Sequence, residues 1–373
     1  MKARGRPVKA GRTARSQASV ELAHMHRALA LARRGWGQTA PNPMVGAVVV
    51  SAGRVVGEGY HARFGGAHAE VRALKAAGSA ARGATLYVTL EPCNHWGKTP
   101  PCVDAIIAAG VSRVVCATRD PGKLAAGGAR RLRRAGIRVE FGVAEVDAAE
   151  LNAPFFFAAR GAQRPWVTLK LALTQDGAVA GPGGARTQIT GPTANRAVHR
   201  LRAQADAIAV GLGTVQADDP ILTVRLGAAP RVPPIRVVFD RAAEVPLSSK
   251  LVASAGTVPT IVVAAHPTPT RELELFNRGV EVLRAATIGK ALQLLRRHEV
   301  RSLLLEGGPT LARAFLEARV VDRVVIFRAP RRLGRGAIAA FADASFLDRF
   351  SVLERRRLGA DEMTIYDPKT RAT

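Results

Sequence analysis

The 373-residue chain has only three cysteines, Cys93, Cys102 and Cys116. So few exclude a disulfide framework and fit a reduced, cytoplasmic setting. No run approaches the roughly 18–20 apolar residues that a membrane helix requires, and the longest such stretches are of strand length. Acidic residues are scarce: Asp+Glu 29 stand against Lys+Arg 55, a formal net charge of +26. Such an excess raises nucleic acid as a partner. Aromatic residues, however, make up 5% and are not interleaved with the basic ones, so the stacking platforms of nucleic-acid binders are missing. The basic residues of segments such as RRLRRAGIR (130–138) fall on helical faces instead. Nucleic acid is therefore set aside as the main partner, and a phosphorylated small substrate accounts for part of the charge. A GxGxxG dinucleotide fingerprint is absent as well.

What remains is a chain that is 47% hydrophobic and 23% charged. That balance supports large cores, and the length fits two domains. Residues 1–19 hold six basic residues and no acid. They read as a disordered tail, with a transit peptide as the weaker alternative. From Val20 a helical pattern leads through QTAPNP to the strand MVGAVVV, with GRVVGEGY as its hairpin partner. HAEVRALKAAG reads as a helix whose Val71 and Leu74 face a core. ATLYVTLEPC, CVDAIIAAG, VSRVVCATRD, GARRLRRAG and IRVEFG then alternate strand and helix. This predicts an α/β layered domain over 20–146.

Residues 147–164 read as a junction, followed by a second α/β domain over 165–373. Its expected strands are WVTLKLALT, PIRVVFD, TIVVAA, VEVL, SLLLEGG and VDRVVIF. Its expected helices are NRAVHRLRAQADAIAVG, ALQLLRRHEV and LARAFLEAR, and a paired-strand tail runs through TIYD. The Pro-rich stretches PRVPP and PTPT mark surface loops. No internal repeat relates the two halves.

The first domain carries a metal-ligand pattern. His68-Ala69-Glu70 opens a helix, Pro92-Cys93 follows a strand, and Cys102 opens another helix after eight intervening residues. One His and two Cys make a three-ligand zinc set that leaves a fourth position for water. Helix starts at His68 and Cys102 favour thiolate and other negative charge. Zinc lowers the pKa of its water toward about 7, and Glu70 stands where it could move a proton from that water to a leaving amine. This His-x-Glu … Pro-Cys … Cys order is the logic of zinc base deaminases. Against it stands the plain reading of two buried cysteines and a helix-start histidine. The combination of motifs at strand and helix edges outweighs that reading. Cys116 reads as a core residue, His24 and His26 as helix-face residues, and His199 and His266 carry no motif.

At TLEPCNHWGKTPPC (89–102) the match narrows. With PNPMVGAVV (41–49), GEGYHARFGGAHAEV (57–71) and GVSRVVCATRDP (110–121), it resembles the bifunctional riboflavin-biosynthesis deaminase/reductase family. VTLKLALTQDG (167–177), LRAQADAIAVGLGTVQADDPILTVR (201–225), RVVFD (236–240) and LLLEGGPTLARAFL (303–316) extend the resemblance over roughly residues 20–365. It implies a cytidine-deaminase-like zinc domain followed by a dihydrofolate-reductase-like domain, and a homo-oligomer. The implied activities are a zinc-dependent aminohydrolase and an NADPH-dependent reductase. The first exchanges the 2-amino group of a 2,5-diamino-6-(5-phosphoribosylamino)pyrimidinone for oxygen; the second reduces the ribosyl group to ribityl.

The resemblance implies zinc on His68, Cys93 and Cys102, with Glu70 as proton shuttle. It implies deaminase substrate contacts at Asn42, His61, Lys98 and Thr99. In the second half it implies substrate contacts at Arg202, Leu222, Arg225 and Glu306, with Lys170 and Asp176 lining that site. Cofactor contacts would come from Thr214, Asp218 and the turn Gly307, Gly308, Pro309 and Thr310. A strand, a Gly-Gly-Pro-Thr turn and a helix in that order also point backbone N–H groups at a phosphate.

Several positions depart from the family pattern. Asn94 stands for a Ser, and the segment after Asp120-Pro121 is a residue short. Thr174-Gln175-Asp176-Gly177 replaces an SLDG stretch. Gln188 replaces a Trp that contacts cofactor, and Arg186 a Ser that contacts substrate. Two alternatives stay open on the sequence. One is a paralogous pyrimidine deaminase with an impaired or redirected reductase half; the other is an RNA-editing zinc deaminase, although these generally carry a tighter Pro-Cys-x-x-Cys spacing.

Overall fold

A computed structural model describes residues 10–122, 127–184, 187–341 and 345–369. The chain divides into two compact units, Met1–Arg160 and Gly161–Thr373. No described helix is long and apolar enough to cross a membrane.

The first unit contains α1 (Ala10–Ala32), β1 (Gly46–Ser51), β2 (Arg54–Tyr60), α2 (Ala69–Ala77), β3 (Thr85–Leu90) and α3 (Cys102–Ala109). It continues with β4 (Arg113–Thr118), α4 (Gly128–Arg134), β5 (Arg138–Phe141), α5 (Glu145–Leu151) and α6 (Ala153–Ala159). Its sheet has the order β2-β1-β3-β4-β5. β1 is antiparallel to β2 and β3, and β3, β4 and β5 are parallel. β1, β3 and β4 are buried at nearly every position because helices cover both faces. Leu86, Val88, Val114 and Cys116 face a core with Ala69, Ala73, Val103, Ile106 and Leu132. Val48, Val50, Tyr87 and Val115 face Met25, Ala28 and Leu29 of α1 on the other side.

Three expectations change here. α1 begins at Ala10, so residues 10–19 are helical rather than tail, a run rich in good helix formers; residues 1–9 lie outside the described residues. Core contact in α2 comes from Ala69, Glu70, Ala73 and Leu74, with Val71 half-buried. Finally, most of the expected junction is helical and belongs to the first unit. The Asn152 side chain holds the Met44 backbone at both ends, accepting from its N–H and donating to its carbonyl at 2.8 Å each. Ala148 and Leu151 are buried in the α1 core.

Glycines set how closely the helices of this unit approach their neighbours. A Cβ on Gly59 would overlap the Ala69 carbonyl of α2, and one on Gly128 would overlap the Pro92 carbonyl. Gly128 therefore lets the start of α4 close on the segment that carries Cys93. The buried Glu91 carboxylate adds a hydrogen bond from the Ala129 N–H at 3.0 Å. Gly128→Ala is expected to cost about 1–3 kcal/mol through overpacking. It should also weaken zinc binding, because Pro92 cannot move without its neighbour Cys93. Thermal unfolding with and without a zinc chelator checks both effects.

The second unit contains β6 (Trp166–Leu173), β7 (Ala178–Ala180), α7 (Pro192–Gln204), β8 (Ala207–Gly211), α8 (Leu212–Asp218), β9 (Ile235–Phe239), α9 (Lys250–Ala253), β10 (Thr260–Ala264) and α10 (Pro269–Phe276). It ends with β11 (Val280–Arg284), α11 (Ile288–Arg297), β12 (Ser302–Leu305), α12 (Pro309–Glu317), β13 (Arg323–Arg328), β14 (Ile338–Ala339), β15 (Phe350–Leu358) and β16 (Asp361–Pro368). Its nine-stranded sheet has the order β11-β10-β9-β8-β12-β6-β13-β16-β15. The strands from β11 to β13 are parallel, and the β15–β16 hairpin adds antiparallel to β13.

The helix expected over NRAVHRLRAQADAIAVG ends at Gln204, and Ala207–Gly211 is a strand. Asp206 marks the switch: its carboxylate accepts from the N–H groups of Arg301 and Ser302 at 2.9 Å each. A short buried apolar run reads as helix or strand alike until its partners are known. PTPT is only partly loop, since Thr268 caps α10 and Pro269 is its first residue.

Candidate functional site

In the first unit three donor atoms converge. His68 is the N-cap of α2 and Cys102 the first residue of α3, so each is held at the rigid start of a helix. His68 Nδ1 lies 3.1 Å from Cys102 Sγ and 3.5 Å from Cys93 Sγ. The donors of all three residues fall within 4.8 Å of one another. A tetrahedron with ordinary Zn–N and Zn–S bonds separates those donors by about 3.5 Å. The Cys102 backbone N–H also donates to Cys93 Sγ at 3.3 Å. The Cys102 thiol, His68 and that backbone bond push the Cys93 thiol down against its burial, while Cys93 and burial push the Cys102 thiol up.

Glu70 completes this set. It is 3% exposed, and its Oε2 is fully buried with no hydrogen-bond partner. A buried carboxylate oxygen left unpaired is costly unless something it acts on occupies the space beside it. Burial raises its carboxyl above the ordinary range. The donor set and this orphaned oxygen together fit a zinc ion with a reacting water.

Of the other residues expected in the first site, His61 and Thr99 stand against His68 and Asn42 reaches His61. The His61 ring meets the His68 ring edge-on, with centroids 5.1 Å apart. His61 Nδ1 lies 3.3 Å from the Ala67 carbonyl, and Asn42 Nδ2 lies 3.3 Å from His61 Nε2. A neutral His61 protonated on Nδ1 satisfies both contacts. Thr99 Oγ1 is 3.5 Å from His68 Nε2. Lys98 Nζ sits 4.6 Å above the Phe64 ring. Asn94, one of the departures, accepts from Arg131 of α4 at 3.1 Å.

The second unit holds a cavity of about 1190 Å³ at the carboxyl ends of its parallel strands, where open α/β sheets bind ligands. Lys170, Arg202, Arg225, Glu306, Thr214, Asp218 and the Gly307–Thr310 turn all line it. The Glu306 side chain is 6% exposed and accepts a two-pronged bond from Arg202: Nε to Oε1 at 2.6 Å and Nη2 to Oε2 at 3.0 Å. Lys170 Nζ is 3.6 Å from Oε2. Burial would raise the Glu306 carboxyl, but the Arg202 and Lys170 charges outweigh it and hold it at about 2. Thr214 Oγ1 accepts from the Gly308 N–H at 3.2 Å, which couples two of the expected cofactor contacts.

Two expected residues lie elsewhere. Asp176 does not line the cavity. Its carboxylate accepts from the Thr174 hydroxyl and from the N–H groups of Leu333 and Gly334 at 3.1 and 3.0 Å, and these bonds push it down to about 2. It caps a loop, which a short acid after a strand does as readily as it lines a site. The Leu222 side chain is 3% exposed in a core with Ile208, Val210 and Val215, so only its backbone can face a ligand. Of the departures, Gln188 lines the cavity and Arg186 lies outside the described residues. The sequence alone did not point to Glu91 or to His199, which is buried and lines the cavity. The one available signal for His199 was its three-residue spacing from Arg202 on a helix, which puts both on one face.

Comparison with known proteins agrees with this two-site chain. The family model described as the cytidine and deoxycytidylate deaminase zinc-binding region matches residues 18–118, and the RibD C-terminal domain model matches 165–363. The riboflavin biosynthesis protein RibD of Aquifex aeolicus is 46% identical over 320 residues, covering 85% of this chain and 89% of its own. That of Escherichia coli is 40% identical over 374 residues, covering 91% and 96%. Among solved structures, Acinetobacter baumannii RibD superposes with a TM-score of 0.82 at 38% identity, covering 95% of this chain and all of its own. A Thermotoga maritima diaminohydroxyphosphoribosylaminopyrimidine deaminase/5-amino-6-(5-phosphoribosylamino)uracil reductase gives 0.81 at 34%, covering 94% and 99%. Nothing among these favours the redirected paralogue or the RNA-editing deaminase. With both halves matched in order over most of the chain, the chain belongs to the RibD family of bifunctional deaminase–reductases of riboflavin biosynthesis.

Proposed function

We propose that the first unit hydrolyses the 2-amino group of 2,5-diamino-6-(5-phosphoribosylamino)pyrimidin-4(3H)-one. The second unit then reduces the ribosyl group of that product with NADPH, giving 5-amino-6-(5-phosphoribitylamino)uracil. The observation that carries the reading is Glu70, an unpaired buried carboxylate oxygen beside a His, Cys, Cys donor set.

In this mechanism His68, Cys93 and Cys102 hold one zinc ion, which supplies Lewis acidity toward water when bound. Glu70 takes a proton from the attacking water as oxygen bonds to the ring carbon, and delivers it to the departing amine, so that ammonia leaves. Asn42, held by His61 beside His68, gives the pyrimidine ring a polar partner. Lys98 and Thr99 stand on the loop between the two cysteines, where a cation suits a phosphorylated ligand.

In the reductase unit the bound NADPH supplies the hydride. The first turn of α12, with the Gly307–Thr310 turn, offers backbone N–H groups to a cofactor phosphate, and Thr214 fixes that turn through Gly308. Asp218 lines the same cavity. Arg202, Lys170 and Glu306 form a desolvated polar floor that orients the open-chain sugar, and Arg225 adds a cation for its phosphate. An assay on the diamino substrate that follows ammonia release and NADPH oxidation separately is expected to give both signals. Ammonia without NADPH oxidation would overturn the reductase assignment, and NADPH oxidation with neither zinc nor ammonia would overturn the deaminase one.

A further inference from the structure

A buried cavity residue left without a role is His199. It lies on α7 one turn before Arg202, and it is 7% exposed. Its Nδ1 accepts a hydrogen bond from the Arg225 backbone N–H at 3.0 Å. From the same helix face Arg202 Nη1 donates to the Thr223 carbonyl at 3.2 Å. Two side chains one turn apart thus hold the 222–225 segment by one acceptor and one donor. The segment needs holding. Leu222 has φ = 52° and Asp219 φ = 39°, left-handed conformations that non-glycine residues adopt at a cost. Arg225, which this segment presents to the cavity, has an exposed side chain and so depends on its backbone for placement.

We propose that His199 is a positioning residue for the reductase: its Nδ1 lone pair seats the Arg225 backbone and so fixes the phosphate-facing Arg225 and the Leu222 backbone. The bond also settles the tautomer. With Nδ1 accepting, the ring proton of neutral His199 is on Nε2, which leaves a donor on a residue that lines the cavity. Protonation of Nδ1 would consume the lone pair and release the segment. The charged groups facing the ring are Arg202 on its own helix, Arg225 on the held segment and Glu306 at the end of β12. Burial and the two arginines keep the imidazole neutral, against the opposing pull of Glu306.

The inference rests on the reductase reading, and a test on the full chain separates the two. The wild type is first assayed with 5-amino-6-(5-phosphoribosylamino)uracil and NADPH; failure there rejects the reading itself. His199→Leu and His199→Gln, which lack an acceptor at the Nδ1 position, are expected to raise KM for this substrate about tenfold, the effect of one lost hydrogen bond. NADPH affinity and kcat should change by less than about threefold. His199→Asn, whose Oδ1 falls near the place of Nδ1, is expected to restore most of the KM. The wild-type KM should rise as pH falls through the His199 pKa, below the usual histidine range, and the Asn variant should lose that rise. The proposal is overturned if the Asn and Gln variants are equally impaired, if KM is unchanged in the Leu variant, or if NADPH affinity falls along with substrate affinity. Should the Leu variant fail to fold, the Asn and Gln pair decides.

Discussion

Glu70→Gln will lower the rate of ammonia release by about 10²–10⁴-fold, the usual contribution of a positioned proton-transfer group, while zinc stays bound. The amide keeps the size of the side chain, so the packing of α2 against the sheet, where Glu70 is 3% exposed, is unchanged. None of the three donor residues is altered. What is lost is the basic oxygen now left unpaired beside them. Cys93→Ala supplies the contrast: it removes a ligand, and both zinc content and deamination should go. In each variant NADPH oxidation with the deaminated substrate should persist, because every residue lining the reductase cavity belongs to the second unit. Metal analysis beside the two separate activity assays reads all three quantities. Zinc loss in Glu70→Gln, or undiminished ammonia release, would remove Glu70 from its role.

The deaminase site was legible because its chemistry is compressed into short segments. His68 and Glu70 share one helix start, and Cys93 and Cys102 flank one loop, so residue type and local structure sufficed. The reductase site draws on residues far apart in sequence, from Lys170 to Glu306, and no local pattern specifies which side chains turn inward. Asp176 and Leu222 illustrate the loss. Each lies in a segment matching the family, yet one caps a loop and the other fills a core. His199 is illegible for the converse reason: a single histidine on a helix says nothing until its partner, the Arg225 N–H, is seen. Secondary structure failed where tertiary pairing decides. Ala207–Gly211 is short and apolar, and only its parallel partners β9 and β12 make it a strand.

Glu306→Gln will destabilise the reductase unit by about 3–5 kcal/mol, because it leaves Arg202 and Lys170 buried without a counter-charge. Burial works against the wild-type carboxylate, whose side chain is 6% exposed, yet its two cations hold it at about 2 against an ordinary value of 4.5. A depressed folded-state pKa means stability that is present above the unfolded pKa and drains away as pH falls through the folded one. The window is therefore about pH 4.5 down to about 2, and the amount is on the order of 3 kcal/mol. The variant has no such carboxyl, so its stability relative to wild type should converge as the pH is lowered through that window. Reduction should fall with it, since the amide cannot bind Arg202 at both prongs as a carboxylate does. Deamination at neutral pH should remain. Denaturant unfolding at several pH values, followed by NADPH binding so that only the second unit is read, measures the effect. A constant difference between the two proteins from pH 7 to pH 2 would show that the Glu306 charge is not what holds Arg202 and Lys170 at the cavity floor.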